Sequence, residues 1–311
     1  MKYVFMGTPA IAASILEHLC SAGKTPIAVV TQPARQAGRG RKLTPSAVEQ
    51  TAARLNLPVY PRENINSLES LEALKTWDPD LVLVVAFGQM LKEPVLLLPR
   101  LGCFNLHASL LPKYRGAAPV QRAIWNGEVE TGVSIQRMVK ALDAGDVLLQ
   151  KRIAILPNET SGELLERLAN LGGEAAVQAL TLAETGALHC TPQDPNEVTV
   201  ARKIAKEEAE LNFSEPAQRL HDQVRALQPW PIAETRLNGQ RLKVFGTSVL
   251  SQASTAPAGT ALTDGKTHLN VVCGDGRLLA LTEIQLENRK RLGVEDFLRG
   301  YLTPISTVGT F

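Results

Sequence analysis

Residues 81–87 read Leu-Val-Leu-Val-Val-Ala-Phe and set the first constraint on the fold. A strand with one wet face alternates apolar and polar residues. A strand covered on both faces has no reason to. This run therefore predicts a central strand of a parallel sheet with helices on both sides. The N-terminus agrees. Residues 2–6 are strand-like, Gly7-Thr8-Pro9 is a turn, 10–22 have helical composition, and 26–31 form a second strand. Thr8 is expected to cap that helix, with Pro9 at its first position. A β-α-β opening of this kind implies a right-handed crossover in an α/β domain.

The rest of the chain extends the pattern and then changes it. Residues 45–55 and 65–77 read as helices, and 58–60 as a short strand. Residues 130–137 alternate around Val133 and Ile135, and 147–155 form another strand. With the loop 138–146 between them, these two read as a hairpin-like pair added to the parallel sheet. Residues 163–180 carry Leu164, Leu165, Leu168, Leu171 and Ala175 at helical spacing, with Gly172-Gly173 as an expected weak point. A short charged helix is expected over 201–210. Beyond Pro229-Trp230-Pro231 come short strand-like runs with Asn238-Gly239, Asp264-Gly265 and Asp275-Gly276 as hairpin turns. A chain of 311 residues exceeds one ordinary core. The expected division is an α/β domain over 1–186, a linker over 187–205 and a smaller antiparallel barrel or sheet over 206–311.

Composition narrows the function classes. The four cysteines are scattered with no CxxC pair, so neither a disulfide framework nor a zinc site is expected, and a reduced cytoplasmic setting fits. The five histidines have no metal-ligand spacing, so no metal is expected. No run of about 18 apolar residues spans a membrane. The opening apolar run is broken by Gly7-Thr8-Pro9 and followed by Glu17 and His18, so it reads as a strand and helix rather than a signal peptide. The formal net charge of +2 neither demands nor excludes a nucleic-acid partner.

Residues 103–121, CFNLHASLLPKYRGAAPVQ, carry the chemistry. In a strand Asn105 and His107 share one face while Phe104 and Leu106 share the other. Two polar side chains at the end of a buried strand are costly unless something uses them. Ligands of open α/β sheets bind beyond the carboxyl ends of the strands. An amide can donate to a developing oxyanion, and an imidazole can carry a proton near neutral pH. Asp143 or Asp146 could supply a carboxylate to orient the imidazole. Amide, imidazole and carboxylate together suit attack on a carbonyl without a covalent enzyme intermediate. Ser109 as a nucleophile is the weaker alternative, since GxSxG is absent. Gly7-Thr8-Pro9 lacks the dinucleotide fingerprint and is read as a plain turn.

The chain resembles the folate-dependent formyltransferases. The resemblance rests on NLHASLLPKYRGAAPVQ, on FMGTP near the start, on LDAGD, on TQPARQAGRG, and on KEEAELNF and LQPWP in the second half. These motifs span the whole chain and match most closely the branch that formylates methionine on initiator tRNA. The resemblance implies a Rossmann-like formyltransferase domain with a mostly parallel sheet, followed by an OB-like antiparallel β-barrel that contacts the tRNA acceptor stem. It implies transfer of the formyl group of 10-formyltetrahydrofolate to the free amino group of methionyl initiator tRNA, by a monomer. It assigns catalysis to Asn105, His107 and Asp143. Asn105 would hold the formyl oxygen, His107 would assist proton movement and stabilise the tetrahedral intermediate, and Asp143 would orient His107 and manage the amine proton.

The folate pocket is expected from Phe87, Gln89, Met90 and Leu91, from Ser109, Leu110, Leu111 and Pro112, and from Val139. Apolar side chains with exposed backbone groups suit a flat, hydrogen-bonding pterin. On the same resemblance, the basic loop with Arg39, Arg41 and Lys42 inserts at the acceptor end, and Lys203 and Lys206 are further tRNA contacts. Positive charge is rewarded by phosphates. The loop departs from the family form at Ala34, where Asp is usual, and at Gln36, where Pro is usual. Ala108 likewise stands where Gly is commoner. From Ala201 onward there are 14 Lys/Arg and 12 Asp/Glu, so charge alone does not mark the second domain as a tRNA binder. The rival readings are a formyltransferase acting on another amine or on water, and a non-catalytic tRNA-binding protein on an enzyme scaffold.

Overall fold

Strands β1 (Tyr3–Gly7), β2 (Ala28–Thr31) and β3 (Val59–Pro61) alternate with helices α1 (Ala10–Ser21), α2 (Ala47–Arg54) and α3 (Leu68–Trp77) in the computed structural model, which describes residues 1–37 and 42–309. They are followed by β4 (Leu81–Val85), the short α4 (Glu93–Leu96), β5 (Cys103–His107), α5 (Pro119–Trp125), β6 (Glu130–Arg137), β7 (Val147–Ala154) and α6 (Ser161–Glu184). The seven strands form one sheet in the order β7-β6-β5-β4-β1-β2-β3. β5, β4, β1, β2 and β3 run parallel, while β6 is antiparallel to β5 and β7 is antiparallel to β6. The order reverses between β1 and β4, which opens a crevice at their carboxyl ends where such sheets bind ligands.

The sequence reasons for these elements are local. All five residues of β4 and all five of β1 are buried, as a strand covered on both faces requires. Ser46 and Ser67 accept hydrogen bonds from Glu49 N and Ser70 N, capping α2 and α3. Alternate residues of the strands (Val4, Met6, Val82, Val84, Cys103) join Phe87, Leu91, Val95 and Leu74 in one core cluster. Burying each large apolar side chain contributes about 1.5–3 kcal/mol. Asn105 and His107 fall on the same face of β5 as Cys103, at the end where this cluster stops.

In the helices around the sheet, two details differ from the sequence expectation. Thr8 does not cap α1. The N-cap is Pro9, and the Thr8 hydroxyl donates instead to the Phe87 carbonyl, 2.9 Å away, across the β1–β4 crevice. Gly172-Gly173 does not weaken α6, which runs unbroken for 24 residues. A Cβ on Gly172 would sit 3.0 Å from Ile15 Cδ1, and one on Gly173 only 2.5 Å from His18 Cγ. The two glycines let α6 pack closely, and that contact outweighs their poor helix propensity.

The chain forms two compact units. The first comprises Met1–Pro119, Glu130–Ala154 and Leu165–Ala201. The second comprises Val120–Val129, Ile155–Leu164 and the residues from Arg202 onward. The units are thus not three consecutive blocks: the residues through Ala201, expected as a linker, pack with the first unit. Val200–Ala201 pair in parallel with Arg115–Gly116. The expected charged helix over 201–210 is only a 3-10 turn at Lys206–Ala209.

The second unit holds α7 (Ala217–Ala226), strands β8 (Ala233–Leu237), β9 (Gln240–Ala253), β10 (Ala261–Thr263), β11 (Leu269–Val272) and β12 (Arg277–Leu286), and α8 (Val294–Arg299). The strand order is β8-β9-β12-β11-β10, all antiparallel. The free edges of β8 and β10 meet a common partner. Gly309 N donates to Arg236 O, and Ala261 N donates to Ser306 O, so the last described residues close the sheet into a barrel.

His221 in α7 is 7% exposed, with Nδ1 2.9 Å from Thr247 Oγ1 and Nε2 3.3 Å from the Pro157 carbonyl. Burial pushes its pKa below the ordinary histidine value, partly offset by the Pro157 carbonyl and Asp222, while Arg225 adds to the depression. The unfolded chain takes up this proton near pH 6.5 and the folded chain does so only lower, so stability falls as pH drops below about 6.5. Urea midpoints measured at pH 7.5 and 5.5 are expected to fall more for the parent chain than for His221→Gln. Equal falls would rule out this residue as a source of acid sensitivity.

Candidate active site

Asn105, His107 and Asp143 meet at the carboxyl end of β5. Period-two alternation turns Asn105 and His107 to one face. The antiparallel neighbour β6 sets Gln136 opposite Asn105 and Ser134 opposite His107. The loop between β6 and β7 then brings Asp143 over the pair. Asp143 has φ +49°, a left-handed conformation tolerated by Asp at a cost of about 1 kcal/mol. Gly145 follows, and a Cβ there would lie 1.7 Å from Arg137 O, so the chain can return to β7 only through glycine.

The carboxylate is the hub. Asp143 Oδ1 accepts from Gln136 Nε2 at 2.9 Å and lies 3.5 Å from Asn105 Nδ2. Oδ2 accepts from Gly116 N at 2.9 Å and lies 3.7 Å from His107 Nδ1. The side chains of His107 and Asp143 are 7% and 9% exposed. His107 Nε2 is 2.8 Å from the Tyr114 carbonyl, which can only accept, so Nε2 carries a proton and Nδ1 is the face turned to Asp143. Asp146 is exposed, and its contribution is a backbone carbonyl that accepts from Arg137 N. Of the two aspartates open at the sequence level, Asp143 faces the imidazole.

Residues 114–118 buttress this group and are themselves held by the segment expected as linker. Tyr114 N donates to Thr199 Oγ1 at 2.8 Å, Arg115 N to Thr199 O at 2.9 Å, and Ala117 N to Ala201 O at 2.9 Å. Gln193 donates to the carbonyls of Asp143 and Gly145 at 2.9 and 2.7 Å. Neither Gln136 nor Gln193 was singled out from the sequence. Gln136 carried a signal, because Ser134 and Gln136 are the polar half of the β6 alternation. Gln193 carried none, since its role depends on a contact 50 residues away in the chain.

The residues expected around folate divide by orientation. Phe87 and Leu91 are buried in the core cluster, against which Met138 also packs. Met90 and Val139 are 64% and 45% exposed. The Gln89 side chain is committed to the 62–65 segment, accepting from Ile65 N and donating to Arg62 O, each at 2.8 Å. Ser109 is buried, its hydroxyl donating to Lys113 O at 2.7 Å and its carbonyl accepting from Ser134 Oγ at 2.6 Å. That hydroxyl serves the turn, as a structural serine does. Leu110 and Pro112 are half-buried and Leu111 is buried, with Leu111 N donating to Ser134 Oγ at 3.0 Å. Burial pushes the Cys103 thiol up to about 12, so on the same face as Asn105 it is inert packing.

Of the expected tRNA contacts, Lys42 in the first unit and Lys203 and Lys206 in the second are exposed. Arg39 and Arg41 lie outside the described residues. At the base of their loop, Arg35 donates to Gln32 Oε1 at 2.7 Å, and Gln32 Nε2 donates to Phe87 O at 2.8 Å. Among the described residues no His, Cys, Asp and Glu cluster fits a metal ion, and no helix is long and apolar enough to cross a membrane.

Residues 1–180 match the formyl transferase family and residues 203–302 match the formyl transferase C-terminal domain. The chain is 43% identical over 310 residues to a methionyl-tRNA formyltransferase of Methylococcus capsulatus, covering 100% of both chains. It is 45% identical over 296 residues to one of Ectopseudomonas mendocina, covering 95% of this chain and 93% of the relative. Among solved structures, an N-formyltransferase from Helicobacter canadensis in complex with folinic acid and dTDP-3-aminofucose shares the fold. Its TM-score is 0.67 at 18% identity, covering 90% of this chain and 98% of that one. HypX from Aquifex aeolicus, in complex with tetrahydrofolic acid, has a TM-score of 0.63 at 16% identity, covering 99% of this chain and 50% of that one. Two-domain family matches in order along the chain, and full-length identity far above that of the structural neighbours, lead to one conclusion: the chain belongs to the formyl transferase family, among the methionyl-tRNA formyltransferases.

Proposed function

We propose that the chain transfers the formyl group of 10-formyltetrahydrofolate to the α-amino group of methionine on initiator tRNA, using Asn105, His107 and Asp143. The observation that carries the reading is the Asp143 carboxylate set 3.5 Å from the Asn105 amide and 3.7 Å from the His107 imidazole at the sheet's carboxyl end. An attacking amine must lose a proton, the formyl oxygen gains negative charge, and the folate nitrogen must leave. The Asn105 amide is a donor for the oxygen. His107 Nδ1 is a proton carrier, and Asp143 orients and charge-balances it. Asn105 donates a hydrogen bond while His107, balanced by Asp143, passes the proton lost by the amine toward the leaving folate nitrogen, so no covalent enzyme intermediate is needed.

The donor substrate fits the residues present. Met90 and Val139 offer exposed apolar surface, and the turn after β4, with an exposed Ala86 at φ +44° and Gly88 at φ +81°, holds backbone groups outside the sheet's ladder. A flat pterin needs that combination. On this reading the protein works as a monomer in the cytoplasm, where charged initiator tRNA is found. Incubation with 10-formyltetrahydrofolate and charged initiator tRNA should accumulate formyl-methionyl-tRNA. Absence of product above background would refute the proposal. A parallel assay with glycinamide ribonucleotide and a nucleotide-linked amino sugar tests the other amine acceptors.

Lys42, Lys203 and Lys206, with Arg39 and Arg41, are the cations proposed to meet tRNA phosphates. Arg39→Ala is expected to lower kcat/KM for charged tRNA about tenfold and to reduce the salt dependence of tRNA binding by about one unit of slope. Folate affinity should not change. An unaltered kcat/KM at physiological salt would remove Arg39 from the interface.

A further inference from the structure

We propose that Gln136 and Gln193 are positioning residues for Asp143, forming a two-amide clamp that aims its carboxylate and holds its loop. The proposal rests on the reading of Asp143 as a catalytic residue. Gln136 is 2% exposed, and a buried amide is costly unless both of its halves are bonded. Its Nε2 donates to Asp143 Oδ1 at 2.9 Å, and its Oε1 lies 3.3 Å from Gln193 Nε2. The Gln193 amide reaches the Asp143 and Gly145 carbonyls at 2.9 and 2.7 Å. Its Oε1 accepts from Arg115 Nε and Nη2 at 3.0 and 2.8 Å.

The distances decide what orients the carboxylate. His107 and Asn105 stand 3.7 and 3.5 Å away, too far to fix it. The short bonds come from Gln136 on Oδ1 and Gly116 N on Oδ2, both 2.9 Å. Asp143 is therefore aimed by groups that take no part in the chemistry, and it stays free to tighten onto His107 when substrate is present. Gln193 secures the backbone of the same residue, whose φ of +49° a side chain with a Cβ does not favour. Arg115 ties this clamp to the stretch that supplies Gly116 N and the Tyr114 carbonyl. One chain of hydrogen bonds thus runs from Arg115 through Gln193 and Gln136 to Asp143.

The test compares Gln136→Met, Gln136→Glu, Gln193→Ala and Asp143→Asn by single-turnover formylation at saturating substrates, with binding of 5-formyltetrahydrofolate as the control. Gln136→Met keeps the length and removes the donor. It is expected to slow the single-turnover rate about 10–100-fold, the scale of a misplaced catalytic group, with folate affinity within about threefold. Gln193→Ala should change in the same direction. Gln136→Glu keeps the shape but has no donor when ionised. Beside Asp143 it holds a proton as pH falls, so its rate relative to the parent chain should recover between about pH 8 and 6. A structural role alone would not produce that recovery. Near-normal turnover by Gln136→Met with an inactive Asp143→Asn would overturn the clamp and leave the catalytic reading standing. Full activity of Asp143→Asn would overturn the catalytic reading itself. Should Gln136→Met fail to fold, absence of the pH recovery in Gln136→Glu overturns the clamp.

Discussion

Single-turnover formylation by the Asp143→Asn variant is expected to run about 10²–10⁴-fold slower than the parent chain, the span that a positioned proton-transfer group contributes. Asn is the informative replacement because it separates charge from shape. It tolerates the left-handed backbone at this position as well as Asp does. Its carbonyl oxygen can still accept from Gly116 N or from Gln136, so the loop keeps its anchor. What goes is the negative charge 3.7 Å from His107 Nδ1, and with it the balance for a proton gained by that ring. Stability should fall by about 1–3 kcal/mol, because the Asn NH2 meets one of the two buried donors that Asp143 satisfies. Rapid-quench assays with preformed enzyme–folate–tRNA complex read the chemical step directly. A rate within about threefold of the parent would show that Asp143 has no role in it. A loss that follows folate affinity instead would turn Asp143 into a binding residue.

The first domain was legible because its signals are short-range. Residues 81–85 of the apolar run at 81–87 became the fully buried β4, while Ala86 is exposed at φ +44° in the turn that follows, and the Asn105/His107 alternation became one face of β5. The hairpin turns of the second domain were equally local. The closure of its barrel was not, since it depends on Ser306–Gly309 pairing with strands some 45 and 70 residues earlier. Failures elsewhere have the same cause. Thr8 has the composition of a cap, yet the Phe87 carbonyl across the crevice is the acceptor for its hydroxyl. Gly172-Gly173 looks like a helix breaker until Ile15 and His18 are seen to need the space. The 187–201 segment has no periodicity and many turn residues, the marks of a linker. It is ordered instead by what it meets, through Gln193, Thr199 and Ala201. In the site, the amide and imidazole could be read from one strand, and the structure separates Asp143 from Asp146 through a loop conformation that composition does not encode.

His107→Ala is expected to cost a similar 10²–10⁴-fold in the chemical step, for a different reason. The imidazole is fixed by its Nε2 donation to the Tyr114 carbonyl, 2.8 Å away, and that carbonyl sits on a residue at φ +60° pinned by Thr199. The ring therefore does not present its other nitrogen, and on the proposed reading proton movement runs through Nδ1 on the side of Asp143. Alanine removes the carrier together with the buried hydrogen bond from Nε2 to the Tyr114 carbonyl, a loss of about 1 kcal/mol. Some of the rate loss could then be attributed to looser packing, so a second readout is needed. The space vacated by the ring is buried yet borders the site, so added imidazole can occupy it. Partial rescue of His107→Ala by imidazole, saturable and absent in Asp143→Asn, is the expected signature of a missing proton carrier. A variant that folds, binds folate and turns over at the parental rate would remove His107 from the chemistry and leave catalysis to Asn105 and Asp143 alone.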